Sequence, residues 1–301
     1  MNVIVPFVTV EKALADAAQA VEAKLDRLLP EPAGPEARLA EAMRYSIMAG
    51  GKRLRPFLVM ASAELFGVAQ ECALRVAAAV ECVHTYSLIH DDLPAMDNDD
   101  MRRGQPTAHI KFDEATAILA GDALLTIAFE ILSHESCHAD PRVRLELIRC
   151  LAQASGHQGM VGGQMIDLAA ATTDMDLAAI TRLQNMKTGA LICFSAEAGA
   201  ILGRATPAKR HALKGYAQNL GLAFQIADDL LDVEGDPEAM GKRAGKDAAA
   251  GKATFVAALG VERARLQAGL LVDQAIAHLE PFGEQAGLLR AVARFAINRS
   301  R

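Results

Sequence analysis

Apolar residues, mostly Ala and Leu, return at three- and four-residue intervals through 10–29, 36–49, 54–66, 71–93, 113–132, 141–155, 176–202, 208–233, 253–259, 261–280 and 284–298. That spacing gathers them on one side of an α-helix. Several stretches are apolar on more than one face, which predicts helices buried in a common body. No run alternates with a period of two between turn signals, so no strand is predicted. The breaks coincide with turn chemistry. Pro30, Pro32, Gly34 and Pro35 set the first helix apart, Asp140–Pro141 and Pro207 mark helix starts, and the Gly- and charge-rich stretch 234–252 predicts a mobile loop. No fixed-period repeat is evident, which counts against a helical solenoid. The expected fold is all-α, a single domain over 1–301 built as a bundle of ten or more helices.

Composition narrows the functional classes. The chain has 301 residues, of which 51% are hydrophobic, enough for a sizeable core. A net charge of −6 argues against a general nucleic-acid-binding surface. Cys72, Cys82, Cys137, Cys150 and Cys193 form no CxxC pair and are odd in number, so they read as reduced, mostly buried thiols. The apolar opening MNVIVPFVTV contains Pro6 and lacks a basic leader, unlike a secretory signal. The best internal spanning candidate, Ala115 to Leu132, is interrupted by Asp122 and Glu130. These features predict a cytoplasmic protein with no membrane span.

Two acidic clusters carry the chemistry. The segment from His90 to Gly104 places Asp91, Asp92, Asp97, Asp99 and Asp100 directly after an apolar helix, followed by Arg102 and Arg103. Taken alone, such a run is usually a solvated loop. A second apolar helix ends in Asp228, Asp229 and Asp232, with Asp228 and Asp232 four apart on one face. Two such clusters facing each other would make a cage of hard oxygen ligands. That suits Mg²⁺, which is held by a few carboxylates together with substrate phosphates. Without His/Cys ligand spacing a zinc site is disfavoured. The implied partner is a diphosphate bridging metals held by both clusters. Gly50-Gly51-Lys52-Arg53-Leu54-Arg55-Pro56 offers two glycine N–H groups and three cations for phosphate, or is an ordinary basic turn; it lacks Walker spacing. Asp91 and Asp97 are six apart and cannot share a face of a regular helix, so Pro94 must distort the segment.

GGKRLRP, DDLPAMD with its RRG, GMVGGQMIDL over 159–168, Lys187-Thr188-Gly189, FQIADDLLD and GKRAGKD over 241–247 occur in an order that resembles the trans-isoprenyl diphosphate synthases, their bacterial farnesyl diphosphate branch above all. The resemblance implies an isoprenoid synthase bundle around a central active-site cavity, about three Mg²⁺ ions per site, and a homodimer. It implies condensation of isopentenyl diphosphate with dimethylallyl or geranyl diphosphate to a fifteen-carbon product. Ten- and twenty-carbon products are the alternatives. By the same resemblance Asp91, Asp92 and Asp97 hold metal from one wall, and Asp228, with Asp229 and Asp232, from the other. Arg102, Lys187, Thr188, Gln225 and Lys242 would attend the allylic diphosphate. Gly51, Lys52, Arg55, His84 and Arg103 would bind isopentenyl diphosphate. Asp91, Asp92, Arg102, Lys187 and Asp228 are the expected catalytic set, and 234–252, with Lys242 and Lys246, the expected lid. Asp167 receives no role.

Helix geometry adds two expectations. His84 lies two turns before Asp91 on nearly the same face, although a lone histidine in an apolar helix is more often a core residue. Ser87 lies one turn below Asp91 with Tyr86 beside it, so this pair is the expected floor for a prenyl tail; for Tyr86 a core position is compatible with that role. A class I terpene cyclase would carry an Asn/Ser/Glu triad and an aromatic-lined pocket. Here the second motif is DDLLD, Trp is absent and aromatics are 4%. A non-catalytic regulatory subunit would be expected to lose the aspartates that this chain keeps.

Overall fold

A computed structural model describes residues 7–170, 175–234 and 253–298. The described residues form α1 (Phe7–Leu28), α2 (Ala37–Ile47), α3 (Leu54–Glu64), α4 (Gln70–Asp91), α5 (Ala108–Lys111), α6 (Glu114–Ser133), α7 (Pro141–Ser155), α8 (Met160–Ala170), α9 (Leu177–Gln184), α10 (Ala190–Leu202), α11 (Pro207–Glu234), α12 (Phe255–Leu259), α13 (Val261–Ala277) and α14 (Gly287–Asn298), and all but α5 and α8 correspond to stretches expected from periodicity. Their starts follow local chemistry. Asp113, Asp140, Asp176 and Thr254 each cap a helix by accepting a backbone N–H at its first turn.

Two apolar clusters share the interior. The first centres on α4, with Val76, Val80, Val83 and Ile89 on a helix that packs against α2, α3 and α6. The second centres on α11, where Leu213, Tyr216, Leu220 and Ile226 meet α13 and α14. Helices α3 and α10 feed both: Val59, Leu191 and Phe194 face the first, while Phe57, Leu58 and Ile192 face the second. Each fully buried Leu or Ile contributes roughly 1.5–3 kcal/mol. The acidic ends of α4 and α11 therefore belong to different halves of one interior, joined through α3 and α10.

Three local departures from expectation matter for function. Helix α8 lies where no helix was read, because Gly159, Gly162 and Gly163 argue against one. A short antiparallel pair, β1 (Met101–Arg102) and β2 (Gln105–Pro106), stands where no strand was expected. Arg103 and Gly104 both have positive φ, +52° and +77°, the turn that closes a two-residue hairpin. The long helical stretch 176–202 is interrupted by a π-helical turn at Asn185–Gly189. Two helices, α4 and α6, the latter containing the Ala115–Leu132 candidate, are long and apolar enough to cross a membrane by length and composition. Of α4's most apolar window, 67% is buried within the protein. The expected lid, with Lys242 and Lys246, lies outside the described residues.

Candidate active site

Asp91 closes α4, and the chain then folds back on itself. The Asp97 N–H donates to the Asp91 carbonyl at 2.8 Å, the Asn98 N–H to Leu93 and the Asp99 N–H to Asp92. This turn, with Asn98 at φ +51°, is how a six-residue spacing brings Asp97 back beside Asp91. Burial pushes the Asp91 carboxyl up to about 6; Lys187 and Arg102 pull it down, while Asp97 and Asp92 push it further up. Asp92, buried, has a different environment. Arg102 donates from Nε and Nη2 to its oxygens at 2.6–2.9 Å. Burial opposes the charge on Arg102, but the bond to Asp92 prevails and raises its pKa.

The next residue, Arg103, points the other way. Its Nη1 donates to the Gly50 carbonyl, and a Cβ added to Gly51 would fall 2.6 Å from the guanidinium carbon. Gly51 also sits at φ +125°, so only glycine serves here. Of the three cations in this segment, Arg53 leaves the site. In the left-handed conformation before α3, it turns inward to Glu81 at 2.5 Å, Glu22 at 3.1 Å and the Ile47 carbonyl at 2.5 Å. Its side chain is fully buried, so it fixes the loop rather than meeting phosphate. Arg55 faces the cavity. Its Nη1 lies 3.3 Å from His84 Nε2, and its Nε is buried without a hydrogen-bond partner. Burial, then the charges of Arg55, Arg103, Arg102 and Arg53, hold His84 well below its ordinary pKa. His84 is thus neutral and its Nε2 accepts from Arg55.

The opposite wall is built by the π-turn, a distortion frequent at functional sites. It carries Lys187, whose Nζ meets Asp167 of α8 at 2.5 Å. Helix α8 can come this close because a Cβ on Gly163 would lie 2.2 Å from the Lys187 N. From Thr188 a polar chain runs outward. Its hydroxyl lies 3.3 Å from Gln225 Oε1, Gln225 Nε2 lies 3.3 Å from Asp229 Oδ1, and Asp229 Oδ2 accepts the Phe255 N–H at 2.7 Å. Asp229 is buried and anchors α12. Asp228 and Asp232 are more open, and the charge of Asp228 acts on Arg55.

These elements enclose a cavity of about 420 Å³. Arg55, His84, Asp91, Lys187 and Thr188 form its polar end, and Tyr86, Ser87, Met96, Met165 and Leu168 line its greasy part. A smaller cavity of about 30 Å³ beside it is bordered by Asp92, Arg102 and Arg103. Residues 36–286 match the Polyprenyl synthetase family. The chain belongs to that family. It is 49% identical over 272 residues to farnesyl diphosphate synthase of Escherichia coli (strain K12), covering 87% of this chain and 90% of that protein. It is 44% identical over 281 residues to a geranylgeranyl diphosphate synthase of Cyanophora paradoxa, covering 93% of each. A crystal structure of an FPP/GFPP synthase from Zymomonas mobilis superposes with a TM-score of 0.88 at 55% identity, over 96% of this chain and 99% of that one.

The site fits a divalent cation in its chemistry. The donors are carboxylate oxygens, and the buried Asp91, resisting ionisation beside Asp97, is a group that such a cation would relieve. Among the described residues no three acidic, His or Cys side chains converge closely enough to hold an ion by themselves. Sequence reasoning gave no role to Asp167, Glu81 or the Met96–Met160–Met165 lining. The signal for Asp167 was its place in a glycine-rich apolar segment, where a lone carboxylate needs a cation.

Proposed function

We propose that the chain is a farnesyl diphosphate synthase, condensing isopentenyl diphosphate with dimethylallyl or geranyl diphosphate and releasing diphosphate. The observation that carries this reading is a cavity that is cationic and carboxylate-lined at one end and apolar at the other. Tyr86 lies five residues before Asp91, about 7.5 Å down α4, a depth suited to two isoprene units. Bound Mg²⁺, held by Asp91, Asp97 and Asp228 with Asp232 nearby, would neutralise diphosphate and make it a better leaving group. Asp92 and Asp229, given as ligands by the resemblance, serve better as supports, since Arg102 and the Phe255 N–H occupy their oxygens.

The remaining steps belong to the chain's own residues. Arg102 and Lys187, each fixed by a carboxylate, face the charge that develops as the allylic C–O bond breaks. Thr188 and Gln225 flank the allylic carbon. Arg55, aligned by neutral His84, joins Lys52 and Arg103 in binding isopentenyl diphosphate beside the Gly51 backbone. The Met- and Leu-lined wall keeps water from the carbocation. Lys242 is the remaining candidate for the allylic diphosphate. We read the protein as a single-domain cytoplasmic enzyme, with α4 and α6 as core helices. Exposed Ile118 and Leu119, neighbours on α6, support a homodimer.

The test is elongation of geranyl diphosphate by isopentenyl diphosphate with Mg²⁺, read by mass spectrometry. A fifteen-carbon product abolished by EDTA is expected. Failure with every allylic primer would overturn the enzyme reading, and a predominantly twenty-carbon product would overturn the assigned chain length.

A further inference from the structure

We propose that His90 is a specificity-determining residue that sets the depth of the prenyl cavity by latching Tyr86 to helix α6; this rests on the prenyl-elongating reading above.

His90 stands directly before Asp91, but its role is not that of a ligand beside it. Four residues after Tyr86, it lies on the same helix face. The two rings meet edge to face, with centroids 5.4 Å apart and planes at 89°. Both line the cavity. The far side of the imidazole rests on α6. His90 Nε2 is 3.0 Å from the Ile118 carbonyl, which can only accept, so Nε2 carries the proton. Asp122 Oδ1 lies 3.9 Å from the same nitrogen.

Helix α6 is shaped to receive this ring. A Cβ added to Gly121 would fall 2.2 Å from His90 Nε2 and 2.5 Å from Cδ2, closer than real Cβ contacts come. No other side chain at position 121 leaves the imidazole where it is. Tyr86, the wall residue expected from sequence, is thus not a free-standing floor. One face of its ring is set by His90, and His90 is set by the α6 backbone.

The latch has two opposite consequences. His90→Ala removes a ring from the cavity lining and the edge support of Tyr86, so the cavity deepens. Gly121→Ala pushes the imidazole off α6 and into the cavity, so it becomes shallower. One methylene of mismatch in an apolar site is worth about 10–200-fold in discrimination, so shifts of about tenfold in product ratio are expected.

The experiment incubates wild-type, His90→Ala, Gly121→Ala and Tyr86→Ala proteins with Mg²⁺, dimethylallyl diphosphate and excess isopentenyl diphosphate, and reads products by mass spectrometry. The latch predicts that His90→Ala raises the ratio of twenty- to fifteen-carbon product about tenfold and Gly121→Ala raises the ratio of ten- to fifteen-carbon product similarly. Wild-type ratios in both variants, with Tyr86→Ala lengthening the product, would overturn the latch while leaving the enzyme reading intact. An inactive wild type would strike at the enzyme reading instead. If Gly121→Ala does not fold, His90→Phe decides the matter: it keeps the ring but loses the bond to Ile118, and an unchanged product ratio there counts against the tether.

Discussion

Arg102 grips both carboxylate oxygens of Asp92, while Asp91, one residue earlier, shares its carboxylate environment with Asp97 and Lys187. Adjacent aspartates at the end of one helix thus do different work. On the proposed reading Asp91→Asn removes a metal ligand, and its rate should fall about 10²–10³-fold with a higher Mg²⁺ requirement. Asp92→Asn loosens Arg102 instead, costing about 10–100-fold in rate with the Mg²⁺ dependence little changed. A magnesium titration of both variants separates the two roles. Equal displacement of the two Mg²⁺ curves would make Asp92 a ligand after all.

The Arg53–Glu81 pair is the structural counterpart. Both side chains are buried, and Glu81 Oε2 already lacks a hydrogen-bond partner. Removing Glu81 leaves the buried Arg53 with only the half-exposed Glu22 and the Ile47 carbonyl, so Glu81→Ala should lose about 3 kcal/mol of stability. Glu81→Gln, which keeps the shape, should lose less. Urea unfolding of both measures this, and a Glu81→Ala protein as stable as wild type would show that Arg53 finds another partner.

Much of this was legible in the sequence because the informative patterns are local. Helical periodicity gave nearly every helix, and the acidic ends of α4 and α11 announced the site. What escaped was set by tertiary approach. The stretch 159–170 was not among the helices read from periodicity, yet it forms α8, and Gly163 lets it touch the Lys187 backbone. Arg53 read as a phosphate cation, yet the positive φ before α3 turns it toward a glutamate on α4. One distortion was legible: the break expected at Pro94 is the backbone turn that returns Asp97 to Asp91. No pattern within a single helix encodes a side chain whose partner lies on another.

Acid should weaken the N-terminal anchor of α6. Asp113 accepts the Thr116 N–H at 2.7 Å and pairs with Arg38 at 2.6 Å. The Thr116 N–H, then Arg38 and the Thr116 hydroxyl, hold its carboxyl down at about 2, against an ordinary 3.8. The folded form binds this proton more weakly than the unfolded chain. Its contribution is therefore present above pH 3.8 and is lost as pH falls toward about 2. Asp113→Ala should lower Tm at pH 7, and the gap from wild type should narrow between pH 4 and 2. A gap independent of pH would mean that the carboxylate charge contributes nothing.

Ser87 tests the same cavity from a second position on α4. It lies one turn before Asp91, its hydroxyl donates to the His84 carbonyl at 2.8 Å, and it leaves open the space along α4 where a second isoprene unit would lie. Phenylalanine at this position projects a ring into that space and leaves in place the carboxylates, arginines and Lys187 to which the proposed reading gives the chemistry. The first condensation should therefore survive and the second should slow, so Ser87→Phe shifts the product from fifteen toward ten carbons. Mass spectrometry of products from dimethylallyl diphosphate and isopentenyl diphosphate reads this directly. A distribution identical to wild type would place the growing tail elsewhere, against α8 rather than α4, and would move the floor to Met165 and Leu168.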